Sequence, residues 1–258
     1  MFKSQFFSVV AIVWNVAAQT PAPAPDVKAP DVKAKDIAET MMKAMGGQDS
    51  WMRAHFVRFD FRVNAAGKVM ADRSHLWDKQ TGRYRLDMSN KEGKPVAALF
   101  NTANQQGAAY VDGKKVEGPA AAEVLKNAYG AYINDMYWLA MPWKWLDPGV
   151  RLKYLGSRKR GSDAYDVVEL TFGKVGLTPG DRYLAFVSPR SNLMEHWEYT
   201  LQNGQKGSWT WEYVTTEGVK LAGNHVAPDG KTINMGQVKI SRTIDETLFS
   251  DPTKKLRN

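Results

Sequence analysis

The sequence predicts an α+β fold in which many antiparallel strands form a strongly curved sheet or barrel. Segments with alternating apolar and polar residues recur along most of the chain, and turns rich in Gly, Asn and Asp separate them. One longer segment without alternation interrupts the strands near the middle of the chain. Because about 10–12 strands would be unusual in a flat open sheet, we expect the sheet to curve around its apolar face.

Individual strands are recognised by their period of two residues. Val57, Phe59 and Phe61 alternate with Arg58 and Asp60, so one face of this strand is predicted to be buried and the other to be solvated. The strands predicted by this criterion span residues 57–63, 70–77, 84–88, 97–101, 107–111, 152–157, 165–172, 182–187, 193–202, 208–215, 219–225 and 235–244.

Two helical regions are predicted. The first begins at Asp36 as N-cap, has Glu39 at the capping-box position, and ends at Gly46-Gly47. The second begins at Pro119 and ends at Pro142, with Gly130 as a point where it would divide into two helices. This second region is rich in Tyr and Trp, and buried rings of this size either fill a core or line a cavity for an apolar ligand.

The candidate ligand-contacting residues come from this second region and from two strands with aromatic inward faces. They are Tyr132, Tyr137, Trp138, Met141, Trp143, Trp145, Trp197, Tyr199, Trp209 and Trp211. Four polar residues are candidates for the mouth of the cavity, namely Asn134, Asp135, Asp181 and Arg182. The structural alternative for these polar residues is a capping, turn or ion-pair role, whereas Arg182 would hold a headgroup phosphate if the residues are functional.

The N-terminal residues predict export. Lys3 precedes an apolar run at residues 6–14, and Val16-Ala17-Ala18 supplies small residues for cleavage after Ala18. We predict a signal peptide at 1–18, a Pro- and Ala-rich linker at 19–35, a folded domain at 36–247 and a basic tail at 248–258. The chain has no cysteine, so we expect neither a disulfide nor an acylated N-terminal cysteine, and a soluble periplasmic protein.

The net charge of +8 limits the partners that we expect. A basic balance favours nucleic acid, anionic headgroups or acidic proteins, but an exported chain rarely meets nucleic acid. We therefore expect no nucleic acid, a transient contact with anionic membrane surfaces, and a monomer. The basic clusters at residues 158–160 and 254–257 are interpreted as solvated loops.

No motif indicates a catalytic or metal site. The four histidines fall in different predicted elements, and no metalloprotease, serine hydrolase or nucleotide-binding motif occurs. Glu195 and Glu198 flank His196 but point to opposite faces of a strand, which does not suit joint acid–base catalysis. We therefore expect no metal, no cofactor and no catalytic residues.

Several blocks of the sequence resemble a known family. NDMYWLAMPWKWLDPGVRLKYLG, followed by YDVVELTF, VGLTPGDRYLAFVSP and HWEY, resembles a family of exported bacterial proteins of uncharacterised function. That family is similar in fold to the lipoprotein carrier LolA and its outer-membrane receptor LolB. The resemblance implies an unclosed antiparallel β-barrel whose concave apolar face is covered by helices acting as a lid, with acyl chains as the ligand.

The sequence therefore predicts a non-enzymatic exported carrier of a lipid or an acylated protein, with acyl chains bound between the curved sheet and a helical lid. Two alternatives remain open. One is an envelope hydrolase that uses dispersed carboxylates and His196, and the other is an interaction module whose rings contact a protein partner.

Overall fold

The computed structural model describes residues 31–173 and 180–257. The predicted signal peptide and residues 19–30 of the predicted linker lie outside the described residues. The helices are α1 (Val32–Ala44), α2 (Gln48–Arg53) and α3 (Gly118–Ala140), and α3 is followed by a 3-10 helix (Met141–Lys144). The strands are β1 (Phe56–Ala65), β2 (Lys68–Asp78), β3 (Arg83–Ser89), β4 (Pro95–Asn101), β5 (Gly107–Val111), β6 (Lys114–Val116), β7 (Val150–Arg160), β8 (Asp163–Phe172), β9 (Arg182–Val187), β10 (Met194–Thr200), β11 (Lys206–Thr210), β12 (Glu212–Thr216), β13 (Val219–Val226) and β14 (Thr232–Ser241).

The strands form two antiparallel sheets. The first has the order β12-β13-β14-β1-β2-β3-β4-β5-β6, and the second has the order β11-β10-β9-β8-β7. The chain passes from one sheet to the other at Trp211, whose backbone N–H donates to the Glu195 carbonyl at 2.7 Å, while the residues after it pair with β13. The single strand predicted at 208–215 is therefore divided at Trp211, and the short strand β6 was not predicted.

The inner faces of both sheets share one core with the helices. Phe59 and Phe61 of β1, Val168 of β8, Met41 of α1 and Leu139 of α3 belong to the same buried cluster. Register irregularities in β1 and β7 accompany this arrangement, and such bulges bend a strand. The predicted fold class is confirmed: the fold is α+β, with curved antiparallel sheets that do not close and helices against their concave face.

The first helix begins earlier than predicted. Asp31, and not Asp36, is the N-cap, because its carboxylate accepts the Ala34 N–H at 3.1 Å. The same side chain accepts the backbone N–H of Tyr154 at 2.8 Å, which ties the start of α1 to β7. Residues 32–35 therefore belong to the helix and not to the linker. The third helix, in turn, continues through Gly130 without a break.

The C-terminal segment, residues 245–257, lies on the outer face of the first sheet. Arg85, which is only 1% exposed, holds the main chain of this segment through its guanidinium group. The carbonyl groups that accept from Arg85 are those of Leu248, Asp251 and Lys254. Arg257 forms ion pairs with Asp60 and Asp72. The tail that was predicted to be solvated is thus bound to the sheet at Arg257.

Candidate functional site

An aromatic cluster lines the concave face where the two sheets meet. Trp197 on β10 is the register partner of Trp209 on β11, so alternation along both strands turns these side chains to the inner face. Trp211 lies 5.8 Å from Trp197 between ring centroids, and Tyr183 stacks on Trp197 at 4.8 Å. We call Trp138, Tyr183, Trp197, Trp209 and Trp211 the ring cluster.

Helix α3 contributes the central ring of this cluster. The Trp138 ring centroid lies 5.1 Å from that of Trp197, 5.2 Å from that of Trp209 and 6.2 Å from that of Trp211. Tyr137, the preceding residue, packs against Trp197 at 6.0 Å. These separations are within the range of favourable aromatic pairs. In this state, Trp138 therefore fills the space that the sequence predicted for a ligand.

A small cavity lies elsewhere, between α1 and the second sheet. Its volume is about 120 Å³, and Ile37, Asp166 and Val187 are among its lining residues. Ligand pockets for drug-sized molecules usually measure about 300–1,000 Å³. This cavity is therefore too small for an acyl chain, and none of its lining residues belongs to the ring cluster.

A buried ion pair fastens α3 to β2. Asp135 is fully buried and accepts two hydrogen bonds from Arg73, at 2.6 Å from Nε and 2.8 Å from Nη2. Asn134 adds a third hydrogen bond to Asp135 at 2.8 Å, and the Arg73 guanidinium lies over the Phe61 ring. Burial acts to raise the pKa of Asp135, but Arg73 and His75 outweigh it and hold this pKa below its ordinary value.

His75 and Tyr84 extend this polar contact into the first sheet. His75 Nε2 lies 3.0 Å from Asp135 Oδ2, and His75 Nδ1 lies 2.7 Å from the Tyr84 hydroxyl. Burial lowers the pKa of His75, so the ring is neutral, and Nδ1 accepts from the Tyr84 hydroxyl in the tautomer whose Nε2–H faces Asp135. Phe59 stacks on the imidazole at 4.3 Å and covers one of its faces.

A second histidine contacts the C-terminal end of α3. Pro142 has no N–H, so the carbonyl of Trp138, four residues earlier, lacks its usual helical donor. His225 Nε2 lies 3.1 Å from this carbonyl, and His225 Nδ1 lies 3.2 Å from the carbonyl of Thr210. A neutral imidazole can donate to only one of the two carbonyls at a time. Burial lowers the pKa of His225 to about 4.

The free energy of unfolding is expected to fall as the pH is lowered from about 6.5 to about 4. Over this window the unfolded chain binds a proton at His225 that the folded chain excludes, which removes up to ~3 kcal/mol of stability. The lowered pKa of His75 acts in the same direction. Urea denaturation at pH 7 and pH 4.5 measures the effect. His225→Gln should reduce the difference between the two pH values, and an unchanged difference would contradict the assignment.

The other candidate residues are divided between three places. Met141, Trp143 and Trp145 are buried in the core beside α1, where Trp143 Nε1 donates to the Lys220 carbonyl and Trp145 Nε1 points to Met141 Sδ. Tyr132 packs instead on Tyr84 in a separate cluster. Tyr199 lies at the edge of the ring cluster, 6.2 Å from Trp197.

Asp181 and Arg182 do not pair with each other. Asp181 is buried and accepts the backbone N–H of Gln202 at 3.0 Å and the Tyr183 hydroxyl at 3.2 Å. The Arg182 side chain is half exposed and pairs with Glu169 on β8. Both interactions hold strands together, as in the structural alternative. Asp135, by contrast, neither caps a helix nor lies in a turn.

The comparisons with known proteins concern the fold. No protein-family model matches the sequence, and no curated protein sequence matches it. A LolA superfamily protein from Nitrosomonas europaea is similar in structure, with 12% identity, 84% of this chain and 98% of that chain covered, and a TM-score of 0.47. The predicted LolA-like resemblance is matched among solved structures.

Two further structures are similar to the chain. A DUF1329 family protein from Desulfovibrio piger has 10% identity, covers 84% of this chain and 97% of that chain, and has a TM-score of 0.47. The lipoprotein LppX from Mycobacterium tuberculosis has 10% identity, covers 82% of this chain and 99% of that chain, and has a TM-score of 0.31. Since these TM-scores are below 0.5, site residues and their roles are taken from this chain's own contacts.

Five residues of the site were not predicted as such, namely Arg73, His75, Tyr84, Tyr183 and His225. Two of them could have been predicted from the alternation in β2. Arg73, His75 and Trp77 are two residues apart from one another, so their side chains point to the same inner face of the strand. Polar residues in such a row require buried partners. Among residues 31–173 and 180–257, no group of His, Asp and Glu side chains is arranged to hold a metal ion. No helix in these ranges is long and apolar enough to cross a membrane.

Proposed function

We propose that this chain is a non-enzymatic exported binding protein that carries a lipid or an acylated protein. The ligand's acyl chains would replace Trp138 among the rings of both sheets. The main observation behind this proposal is that a single helix, α3, covers the aromatic inner face formed by the two sheets. Polar contacts to that helix include those of Arg73 and His75 with Asp135 and that of His225 with the Trp138 carbonyl.

The burial pattern of α3 suits a movable lid. The buried residues of this 23-residue helix are Ala128, Asp135, Met136, Leu139 and Ala140, and all of them except Ala128 lie in its second half. Much of the attraction within a buried ion pair is offset by the cost of desolvating its charges. The pair therefore fixes the position of α3 more than it adds to the net stability of the fold. Outward movement of α3 is therefore opposed chiefly by the loss of apolar contacts. An acyl chain in the same place would make apolar contacts of its own with the two sheets.

The energetics favour such an exchange. Burying a methylene group yields about 0.8 kcal/mol, so a long acyl chain contributes on the order of 10 kcal/mol before the entropy costs of binding. This gain is comparable with the cost of removing Trp138 and breaking its neighbouring contacts. A single acyl chain is thus sufficient to compete with the closed state.

The polar groups of the interior favour binding over catalysis. Asp135 orients His75 as a carboxylate orients a catalytic base, but Tyr84 occupies the other ring nitrogen and Phe59 covers a face of the ring. His196, the residue of the hydrolase alternative, packs edge-on against Tyr165 outside the ring cluster. These contacts support the carrier over the hydrolase.

The proposal is tested by lipid content and by probe binding. Native mass spectrometry and solvent extraction of gently purified protein are expected to show a bound amphiphile. Dansyl-undecanoic acid, an acyl probe excited by energy transfer from tryptophan, should bind saturably. Absence of both an extractable amphiphile and saturable binding would overturn the carrier function. Release of nitrophenol from p-nitrophenyl palmitate above the blank would instead support the hydrolase.

A further inference from the structure

In the ring cluster and beside it lie hydrogen-bond donors that have no acceptor among the described residues. Trp197 Nε1, Trp211 Nε1 and the Tyr137 hydroxyl are buried and have no partner among the residues that the structure describes. Trp197 and Trp211 are 3% and 2% exposed, respectively. The three rings are neighbours, since Trp197 lies 6.0 Å from Tyr137 and 5.8 Å from Trp211. The three rings that carry these donors therefore lie close together.

Such a concentration is costly in a purely structural core. Leaving one buried donor unpaired costs about 1–3 kcal/mol, whereas a phenylalanine ring at the same position would carry no such cost. Buried polar groups without partners are few in native proteins, and each requires a physical explanation. A ligand that supplies an acceptor when α3 moves would pair the two indole donors, and the same movement would take Tyr137, which lies on α3, out of this interior.

The surroundings indicate a neutral acceptor. His225, next to Trp211 at 4.2 Å, is an uncharged ring because burial lowers its pKa. Near Tyr137 lies the buried carboxyl group of Asp181, which accepts from Tyr183. Desolvation, followed by Tyr183 and Asp181, raises the pKa of Tyr137 well above its ordinary value. An anionic carboxylate or phosphate would be repelled by Asp181 and would lose its hydration. A carbonyl oxygen carries no net charge, so it is neither repelled by Asp181 nor deprived of the hydration shell of an ion.

We propose that the indole N–H groups of Trp197 and Trp211 form a hydrogen-bonding subsite for the carbonyl oxygen of an ester- or amide-linked acyl chain. This inference rests on the carrier function proposed above and narrows its ligand. The indole N–H groups of the two tryptophans belong to the sheets and stay in place when α3 moves. The ligand class is therefore an acyl ester or amide, in preference to a hydrocarbon, an alkyl ether or a free fatty acid.

A matched pair of lipids tests the subsite. Dioctanoyl-phosphatidylcholine carries two ester carbonyls, and its di-O-octyl analogue has the same headgroup and nearly the same chains without them. Each lipid, at submicellar concentration, displaces dansyl-undecanoic acid from the wild-type protein. We expect the diester to bind about tenfold more tightly than the diether, which corresponds to one or two net hydrogen bonds.

Variants that keep an aromatic ring but remove its hydrogen-bond donor show which residues produce the preference for the diester. In Trp197→Phe and Trp211→Phe the ratio of diester to diether affinity should fall toward one. Trp51→Phe, which alters a ring stacked on Trp143 outside the cluster, should retain the wild-type ratio. Because the ratio is taken within each variant, a general loss of stability does not affect it.

The two proposals fail in different ways. If wild-type protein binds the diester and the diether equally, or if the preference survives in both donor variants, the subsite is overturned and the carrier function stands. If neither lipid displaces the probe and the probe itself does not bind, the carrier function fails. A downfield shift of the Trp197 and Trp211 indole N–H resonances with the diester alone would be direct support for the subsite.

Discussion

Arg73→Leu is expected to lower the free energy of unfolding by about 3 kcal/mol. The substitution leaves the carboxylate of Asp135, which is fully buried, without its main counter-charge. Breaking a buried pair from one side usually costs about 3–5 kcal/mol, and the lower end applies because His75 and Asn134 still contact Asp135. Urea denaturation at pH 7 measures the loss. Amide hydrogen exchange should rise along α3, because this pair attaches the helix to β2.

Two variants distinguish a buried charge from a general packing defect. Arg73→Leu/Asp135→Asn removes the stranded charge but keeps an oxygen that accepts from His75, and we expect it to recover at least half of the loss. Arg62→Leu removes the exposed ion pair between Arg62 and Asp72, and such a pair is worth about 0–1 kcal/mol. Equal losses in Arg73→Leu and Arg62→Leu would show that the buried pair does not hold α3.

Trp138→Ala is expected to lower the free energy of unfolding by about 3–5 kcal/mol and to strengthen binding of an apolar probe. The stability loss follows from removing a large side chain that touches Trp197, Trp209 and Trp211. The gain in binding follows because the deleted ring leaves an apolar space, and such spaces in protein cores take up small apolar molecules. Urea denaturation and titration with dansyl-undecanoic acid measure the two effects.

Trp51→Ala is the matched control for Trp138→Ala. Trp51 is half-buried, stacks on Trp143 at 5.7 Å and lies beneath Lys79, outside the ring cluster. Its removal should cost less stability and leave probe affinity unchanged. Weaker probe binding in a folded Trp138→Ala protein would show that this ring is part of the binding surface and not an occupant of it.

The sheet architecture was largely predictable from local pattern. The alternation of Val57, Phe59 and Phe61 placed these residues on the inner face, where the structure has them. The central helix was predicted between Pro119 and Pro142, and it ends at Ala140 before the 3-10 turn that contains Pro142. The effect of a proline on where a helix begins or ends depends on its own backbone geometry, so it can be predicted without knowledge of distant residues.

The boundaries at both ends were less predictable. Asp31 and Asp36 are equally suitable N-caps by residue type, and the choice of Asp31 depends on Tyr154, more than a hundred residues away. Residues 254–257 looked like a solvated basic tail, but Arg257 finds Asp60 and Asp72 on the outer face of the sheet. The sequence of a basic segment does not show whether the fold places acidic side chains close enough to form ion pairs with it.

The sequence alone was sufficient for the class of fold, the inward aromatic rows and the central position of a Tyr- and Trp-rich helix, because each depends on residues adjacent in the chain. The tertiary structure decided which rings meet and which polar residues hold them. Arg73 and Asp135 are 62 residues apart, and Trp138 and His225 are 87 residues apart. Hydrogen bonds and ring contacts act over a few ångströms in space, so only the folded chain brings such partners together.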